Sequence, residues 1–421
     1  MNSSVLIESK HDKYLPMVKN LAAACFMLML QVYLIAPLLP AIGNEFHSTL
    51  ISQAIPAFAI PYGLSALCSI SLSNRVGRKV MLQWSVWLMT LGCFATASCH
   101  SISAFLVVRI LAGIATGSIL PLALVLIAEC YPASARGTRM LIVVFSVALG
   151  ITFAPVIGGY FNGMIGWRTM YIISGILSLI VYLRIVLSSF PLPLKIARKP
   201  ENLSLVWQLS KKILTRGAGP YLYAFSFFGG MFHTGVFVWL SFYFTTHYHL
   251  GEQGIALVLL IFLFPGLLMV ILMAAFSIKT SVKGTLLAGL ILVAVCVALL
   301  WINVNLPLWL AYLFVLILSV GFNITQPLFI GITTTLHNGR MSNQAVGMGC
   351  GILFLGYGAG PMLFVFLVSL GDSPAIIFLA LLGLLLSILS FKVWKEKLST
   401  DKHITKRNFF TDNQGMAQRH T

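Results

Sequence analysis

Apolar runs of about 20 residues alternate with short polar gaps along almost the whole chain, and the gaps are rich in lysine and arginine. A helix needs about 20 apolar residues to cross a hydrocarbon core about 30 Å thick. Lipid offers the backbone no hydrogen-bond partners, so each run must close its own bonds as a helix. The pattern predicts twelve spans, at 19–40, 51–72, 80–98, 103–125, 141–162, 168–188, 219–244, 254–276, 284–302, 307–332, 345–368 and 374–394. The chain reads as an all-α polytopic membrane protein.

Composition changes this picture only through the position of charge. Of 421 residues 59% are hydrophobic and 9% charged, yet the net charge is +17. Such an excess on a soluble face would suggest nucleic acid, but here the bases sit between apolar runs, which excludes that partner. With both termini in the cytoplasm, 24 of the 27 lysines and arginines fall on the cytoplasmic side, leaving Arg109, Arg168 and Arg184. That asymmetry sets the orientation. The first apolar run is too long for a signal-peptide core and is expected to stay in the protein. Seven scattered cysteines have neither a disulfide framework nor metal-ligand spacing.

The longest polar break, 189–218, divides the chain into an N-terminal six-helix bundle (1–188) and a C-terminal one (219–394), followed by a basic cytoplasmic tail (395–421). Pro121 and Pro327, Pro155 and Pro361, and Gly150 and Gly356 are each 206 residues apart, which points to a duplication. Two similar bundles around a shared cavity are the architecture of alternating access. Gly150, Pro155, Gly158 and Gly159 in the fifth span and Gly356, Gly360 and Pro361 in the eleventh fit two roles. They either pack backbones tightly and statically or form the bending and sliding contacts of a moving carrier.

The loop after the second span, Ser73-Asn74-Arg75-Val76-Gly77-Arg78-Lys79, resembles the signature loop of the major facilitator superfamily. Arg109 with Gly113 and Gly117 is similar to that superfamily's Arg-Gly helix, and Ala154-Pro155-Val156-Ile157-Gly158-Gly159 with Gly166-Trp167-Arg168 looks like its antiporter motif. The closest likeness is to bacterial drug:proton antiporters of the bicyclomycin and chloramphenicol resistance type. The resemblance implies two six-helix bundles with 12 transmembrane helices, a cavity lined by spans 1, 4, 7 and 10, and a cytoplasmic gate at Asn74, Arg75, Gly77, Arg78 and Lys79. Two positions depart from the pattern: Asn74 stands where an Asp is usual and Ile70 where a Gly is usual, so hydrogen bonding survives at 74 without its charge.

Arg109 lies well inside the fourth span, where a guanidinium costs about 2.5–3.5 kcal/mol on insertion scales unless it pairs or meets water. It reads either as a ligand for an anionic or carbonyl-bearing substrate or as a structural clamp on helix carbonyls. Gln31 and Tyr33 in the first span, Phe232 and His233 in the seventh, and Asn323 and Gln326 in the tenth join it as substrate-binding or coupling candidates. Aromatic crowding in the seventh span, Phe225 to Phe244, favours an interfacial belt, with a minority of rings available to an apolar pocket.

No carboxylate lies near a midplane, so proton coupling has only Glu45, Glu129 and His233 to draw on. Histidine suits the task because its unperturbed pKa is about 6.5, and a satisfied hydrogen-bonding role fits it equally. No Walker sequence, metal site or coherent catalytic constellation is present, so neither an ATP-driven pump nor an enzyme is expected, and no cofactor. The leading expectation is a secondary transporter of a small organic solute in the bacterial inner membrane, exporting drugs or toxic metabolites on a proton gradient. The alternatives are a metabolite or amino-acid/carboxylate uptake permease or exchanger, and, further off, a permease-like sensor. The lipid bilayer and the solute are the expected partners, and a monomer is expected to suffice.

Overall fold

The computed structural model describes residues 14–188, 203–215, 217–276, 282–302, 306–335 and 340–417. In chain order the helices are α1 (Leu15–Phe46), α2 (Ala54–Val76), α3 (Arg78–Ala97), α4 (Ile102–Thr116), α5 (Ile119–Cys130), α6 (Ala133–Leu187), α7 (Leu203–Thr215), α8 (Gly219–Tyr248), α9 (Glu252–Phe276), α10 (Val282–Ile302), α11 (Leu308–Thr335), α12 (Arg340–Ser369) and α13 (Asp372–Ala417). A 3-10 turn, Thr49–Gln53, joins α1 to α2. Among the described residues nine helices are long and apolar enough to cross a bilayer, and shorter apolar stretches, Leu287–Cys296 of α10 and Leu308–Asn323 of α11, lie at the two remaining expected crossings. One of the nine is two crossings, separate helices that meet at a kink. α6 runs through spans 5 and 6 and turns at Gly166, whose φ of 74° and ψ of 155° suit a residue without a Cβ. The twelve-crossing all-α architecture is therefore present.

Large apolar side chains such as Trp84, Leu111, Trp309 and Leu381 stand more than half exposed, an outward surface that only lipid covers at no cost. The fourth span is broken at Gly117 and Ser118 into α4 and α5. In the central break, 189–202 and Arg216 lie outside the described residues, and between them α7 packs Ile213 against Tyr223, Ala345 and Met348. The C-terminal helix continues past the expected end of the last span to Ala417.

The residues 206 apart occupy matching places. A Cβ on Gly150 would meet Met29 Cβ and Phe26 O of α1, each at 2.8 Å, while one on Gly356 would run into Phe227 O and Met231 N of α8. Spans 5 and 11 thus lie backbone to backbone on spans 1 and 7 of their own halves. Two further pairs join the halves, α2 with α12 and α6 with α9. A Cβ on Gly63 would sit 2.7 Å from Gly351 O, and one on Gly351 equally close to Gly63 O. On the other seam a Cβ on Gly159 would lie 2.6 Å from Ala256 Cβ. Lipid tails are as apolar as the side chains, so helices associate through such close packing and not through water exclusion.

Gly351→Val should therefore force α2 and α12 apart. Overpacking of this kind costs about 1–3 kcal/mol, and the thermal midpoint of the purified protein should fall. Gly163→Ala, at a position where a Cβ meets nothing within 4 Å, should leave that midpoint unchanged or raise it.

Candidate functional site

Arg109, on α4, is 3% exposed. Its Nε donates to Ala54 O of the first turn of α2 at 3.3 Å, and its guanidinium carbon lies 4.6 Å from the centre of the Phe58 ring. The ion pairs among the described residues are Arg78 with Glu129 and Arg168 with Glu45, so no carboxylate there neutralises Arg109. An unpaired guanidinium fork in a low-dielectric interior is a site for an oxyanion.

Arg109 borders a small enclosed cavity with Tyr33 of α1, Phe58 of α2, Thr234 and Phe237 of α8, and Tyr357 of α12. Both halves contribute to its wall. Its volume is about 20 Å³, room for one water-sized molecule. The central site is thus nearly collapsed, with a cation on one side and tyrosine on the other.

His233 stands behind the tyrosine wall. Its Nδ1 is 3.3 Å from Tyr33 Oη, and its ring meets Phe262, Phe322 and Tyr357 at centroid distances of 5.5, 5.5 and 5.6 Å. The first and seventh spans therefore touch through one polar contact at the seam.

The structure scatters the other candidates. Gln31 turns away from the cavity and donates to Ser178 Oγ of α6 at 3.2 Å. Phe232 is fully buried against Phe322, 5.4 Å between ring centres. Asn323 donates from Nδ2 to Ser319 O and Oγ, both at 3.0 Å, which ties its amide nitrogen to its own helix α11. The side chain of Gln326 lies outside the described residues. Of the aromatic cluster on α8, Phe237 reaches the cavity, whereas Phe225, Trp239 and Phe244 fill packing positions.

At the cytoplasmic end the basic loop is organised by Glu129, at the foot of α5. Its Oε1 lies 2.8 Å from Arg78 Nη2 and accepts from Asn343 Nδ2 of α12 at 3.0 Å. Asn74 accepts from the same Nη2 of Arg78 at 3.2 Å, filling the place of the usual Asp without its charge. Lys79 donates to Ser188 O at 3.3 Å, Gly77 adopts φ 99° between α2 and α3, and Arg75 is exposed. Beside this, Gln344 accepts from Ser71 Oγ at 3.3 Å and donates to Ser210 Oγ of α7 at 3.2 Å. One carboxylate and two neighbouring amides therefore close the inner seam between the halves.

At the outer end Glu45 pairs with Arg168 at 2.8 Å and accepts from Trp167 Nε1 at 2.6 Å. Gly158 lies against Pro37 and Leu34 of α1, Gly360 against Thr234 and Met231 of α8, and Pro155 and Pro361 sit inside α6 and α12. Asn343, Gln344, Phe58 and Tyr357 escaped the sequence reading. The first two fell just before the predicted eleventh span, and an aromatic in an apolar run gives no sign of which way it faces.

Glu129→Gln should loosen the inner seam, because Arg78 would keep its burial and lose its countercharge. Cys25 of α1 is fully buried beside Cys350 of α12. A membrane-impermeant maleimide applied from the cytoplasmic side should label Cys25 several-fold faster in the variant than in the parent.

The Major Facilitator Superfamily profile matches residues 21–349. Curated relatives include the uncharacterized transporter YwfA of Bacillus subtilis, 25% identical over 38% of this chain and 40% of its own length. The niacin transporter NiaP of Acinetobacter baylyi is 28% identical over 36% of this chain and 35% of its own. The multidrug export protein EmrB of Escherichia coli is 25% identical over 37% and 30%. In each case the match covers less than half of the relative. The human organic anion transporter MFSD10 superposes with a TM-score of 0.73 at 16% identity, over 90% of this chain and 99% of that one. A D-xylose–proton symporter gives 0.74 at 16%, over 90% and 97%. A profile that spans more than three quarters of the sequence, on a fold shared almost end to end, makes this chain a member of the Major Facilitator Superfamily.

Proposed function

We propose that this secondary transporter carries a small organic anion, a carboxylate above all, as a permease or exchanger. The observation that carries the reading is Arg109, buried without a carboxylate partner among the described residues at the edge of a cavity built by both halves. A carboxylate there would accept charge-assisted hydrogen bonds worth about 1.5–3 kcal/mol each. The halves 1–188 and 219–394 would rock about that site, with Glu129 closing the cytoplasmic end and the glycines of spans 5 and 11 serving as bearings. The names of an organic anion transporter and a niacin transporter among the similar proteins agree with a small organic solute. A proton gradient is the energy source we favour, as for the D-xylose–proton symporter of like fold, in a bacterial inner membrane and with the monomer as the working unit.

Drug efflux moves to second place on physical grounds. A bulky apolar compound needs a broad greasy pocket, and of Phe225, Phe232, Phe237, Trp239 and Phe244 in the seventh span Phe237 reaches the cavity while the others are buried in packing. A cation in the wall would also go unused by a neutral drug.

Uptake of nicotinate, benzoate and lactate into proteoliposomes, corrected for empty vesicles, tests this reading. Arg109→Gln should cut uptake of the preferred anion by about 10- to 100-fold, the loss of one charge-assisted bond, with membrane insertion intact. Arg109→Lys should recover part of it, keeping charge without the fork. Equal uptake of the corresponding amides by the wild type would refute an anion site.

A further inference from the structure

We propose that His233 is the binding site of a co-transported proton, and that the hydroxyl of Tyr33 links proton binding to anion binding. The inference rests on the carboxylate reading of the cavity and adds to it the residue that couples.

Three titratable candidates are separated by their surroundings. Glu45 is tied to Arg168 and Trp167 at the outer end, and Glu129 to Arg78 and Asn343 at the inner end. Each is committed to a bridge at a membrane surface and neither borders the central cavity. His233 contacts two residues of the cavity wall, Tyr33 and Tyr357.

The groups that face its ring are Tyr33 from α1, Phe262 from α9, Phe322 from α11 and Tyr357 from α12. Two of these titrate, Tyr33 and Tyr357, and none carries charge at neutral pH. Arg109, the charge in the cavity wall, lies on the same cavity as the two tyrosines. An imidazolium in such a cage is costly unless an anion is brought near it.

The hydrogen bond between Tyr33 and His233 has two forms. While the imidazole is neutral with a free lone pair at Nδ1, that nitrogen accepts the Tyr33 O–H. When a proton binds, a new N–H bond forms at Nδ1, and Nδ1–H must donate to Tyr33 Oη. The tyrosine hydrogen then has to leave that line, and Tyr33 lines the cavity. The Tyr357 hydroxyl, bonded to Tyr33, lies on that side, and a carboxylate held by Arg109 is the stronger acceptor there. Anion binding therefore favours the protonated histidine, and protonation favours the anion. On the far side the anion leaves, the Tyr33 hydrogen turns back, and the N–H bond breaks to release the proton to water. One proton and one monoanion cross together, with no net charge moved.

Titration calorimetry of the full chain in lipid nanodiscs, with nicotinate, benzoate and lactate as probes, tests the link. Each titration is run in two buffers of different ionisation heat, which counts the protons taken up. Two pH values one unit apart, both above neutrality, complete the set. The wild type should take up close to one proton per anion, and its Kd should fall about tenfold at the lower pH, as one-to-one linkage requires. His233→Gln and the near-isosteric Tyr33→Phe should each bind without proton uptake and with a Kd independent of pH. Wild-type binding without proton uptake, or unchanged uptake in His233→Gln, overturns the proton site and leaves the carboxylate reading standing. If none of the three anions binds the wild type at either pH, the carboxylate reading fails and the proton site falls with it.

Discussion

Backbone contact between helices is the constraint on which this molecule rests. Inside a bilayer no water is released when two apolar helices meet, so their association depends on how closely their surfaces fit. Gly63 and Gly351 bring α2 and α12 together, Gly159 brings α6 onto α9, and Gly150 and Gly356 seat the fifth and eleventh spans on the first and seventh. These contacts join smooth surfaces with few polar anchors. Such seams can slide, and they leave much of the work of holding this state to the Glu129–Asn343 and Ser71–Gln344 contacts at the inner end.

The centre is arranged differently. Arg109 is costly where it lies, and its described partners, the Ala54 carbonyl and the Phe58 face, offset only part of that cost. A nearly closed cavity beside it cannot supply bulk water. An oxyanion would relieve the site more than any neutral solute, and on that ground the carboxylate reading rests. In the proposed coupling His233, bonded to the Tyr33 hydroxyl, would admit or refuse a second charge according to the state of the first.

Much of the fold was legible because lipid makes hydropathy decisive: the crossings, their orientation and the repeat follow from apolar length, basic gaps and a shared offset. The rotation of each helix about its axis was not. Gln31 and Tyr33 are two residues apart, about 200° around a helix, so both cannot face one cavity, and the structure gives it to Tyr33 while Gln31 bonds Ser178. Arg109 was legible since a cation in an apolar run has few explanations. Phe58 and Tyr357 were not, because rings are ordinary in such runs. The inner latch was half seen: Arg78 and Glu129 stood out by charge, but Asn343 and Gln344 fell outside a span edge drawn two residues late.

The turn at Gly166 has a practical consequence. Because spans 5 and 6 meet directly at that kink, and α3 and α4 are separated by four residues, the described extracellular face offers little protruding chain. An antibody fragment or nanobody raised as a fiducial for microscopy would find few epitopes outside. The cytoplasmic face, where α7 lies against spans 7 and 11 and α13 continues past the end of its span, carries more ordered chain and is the side from which such reagents should be selected.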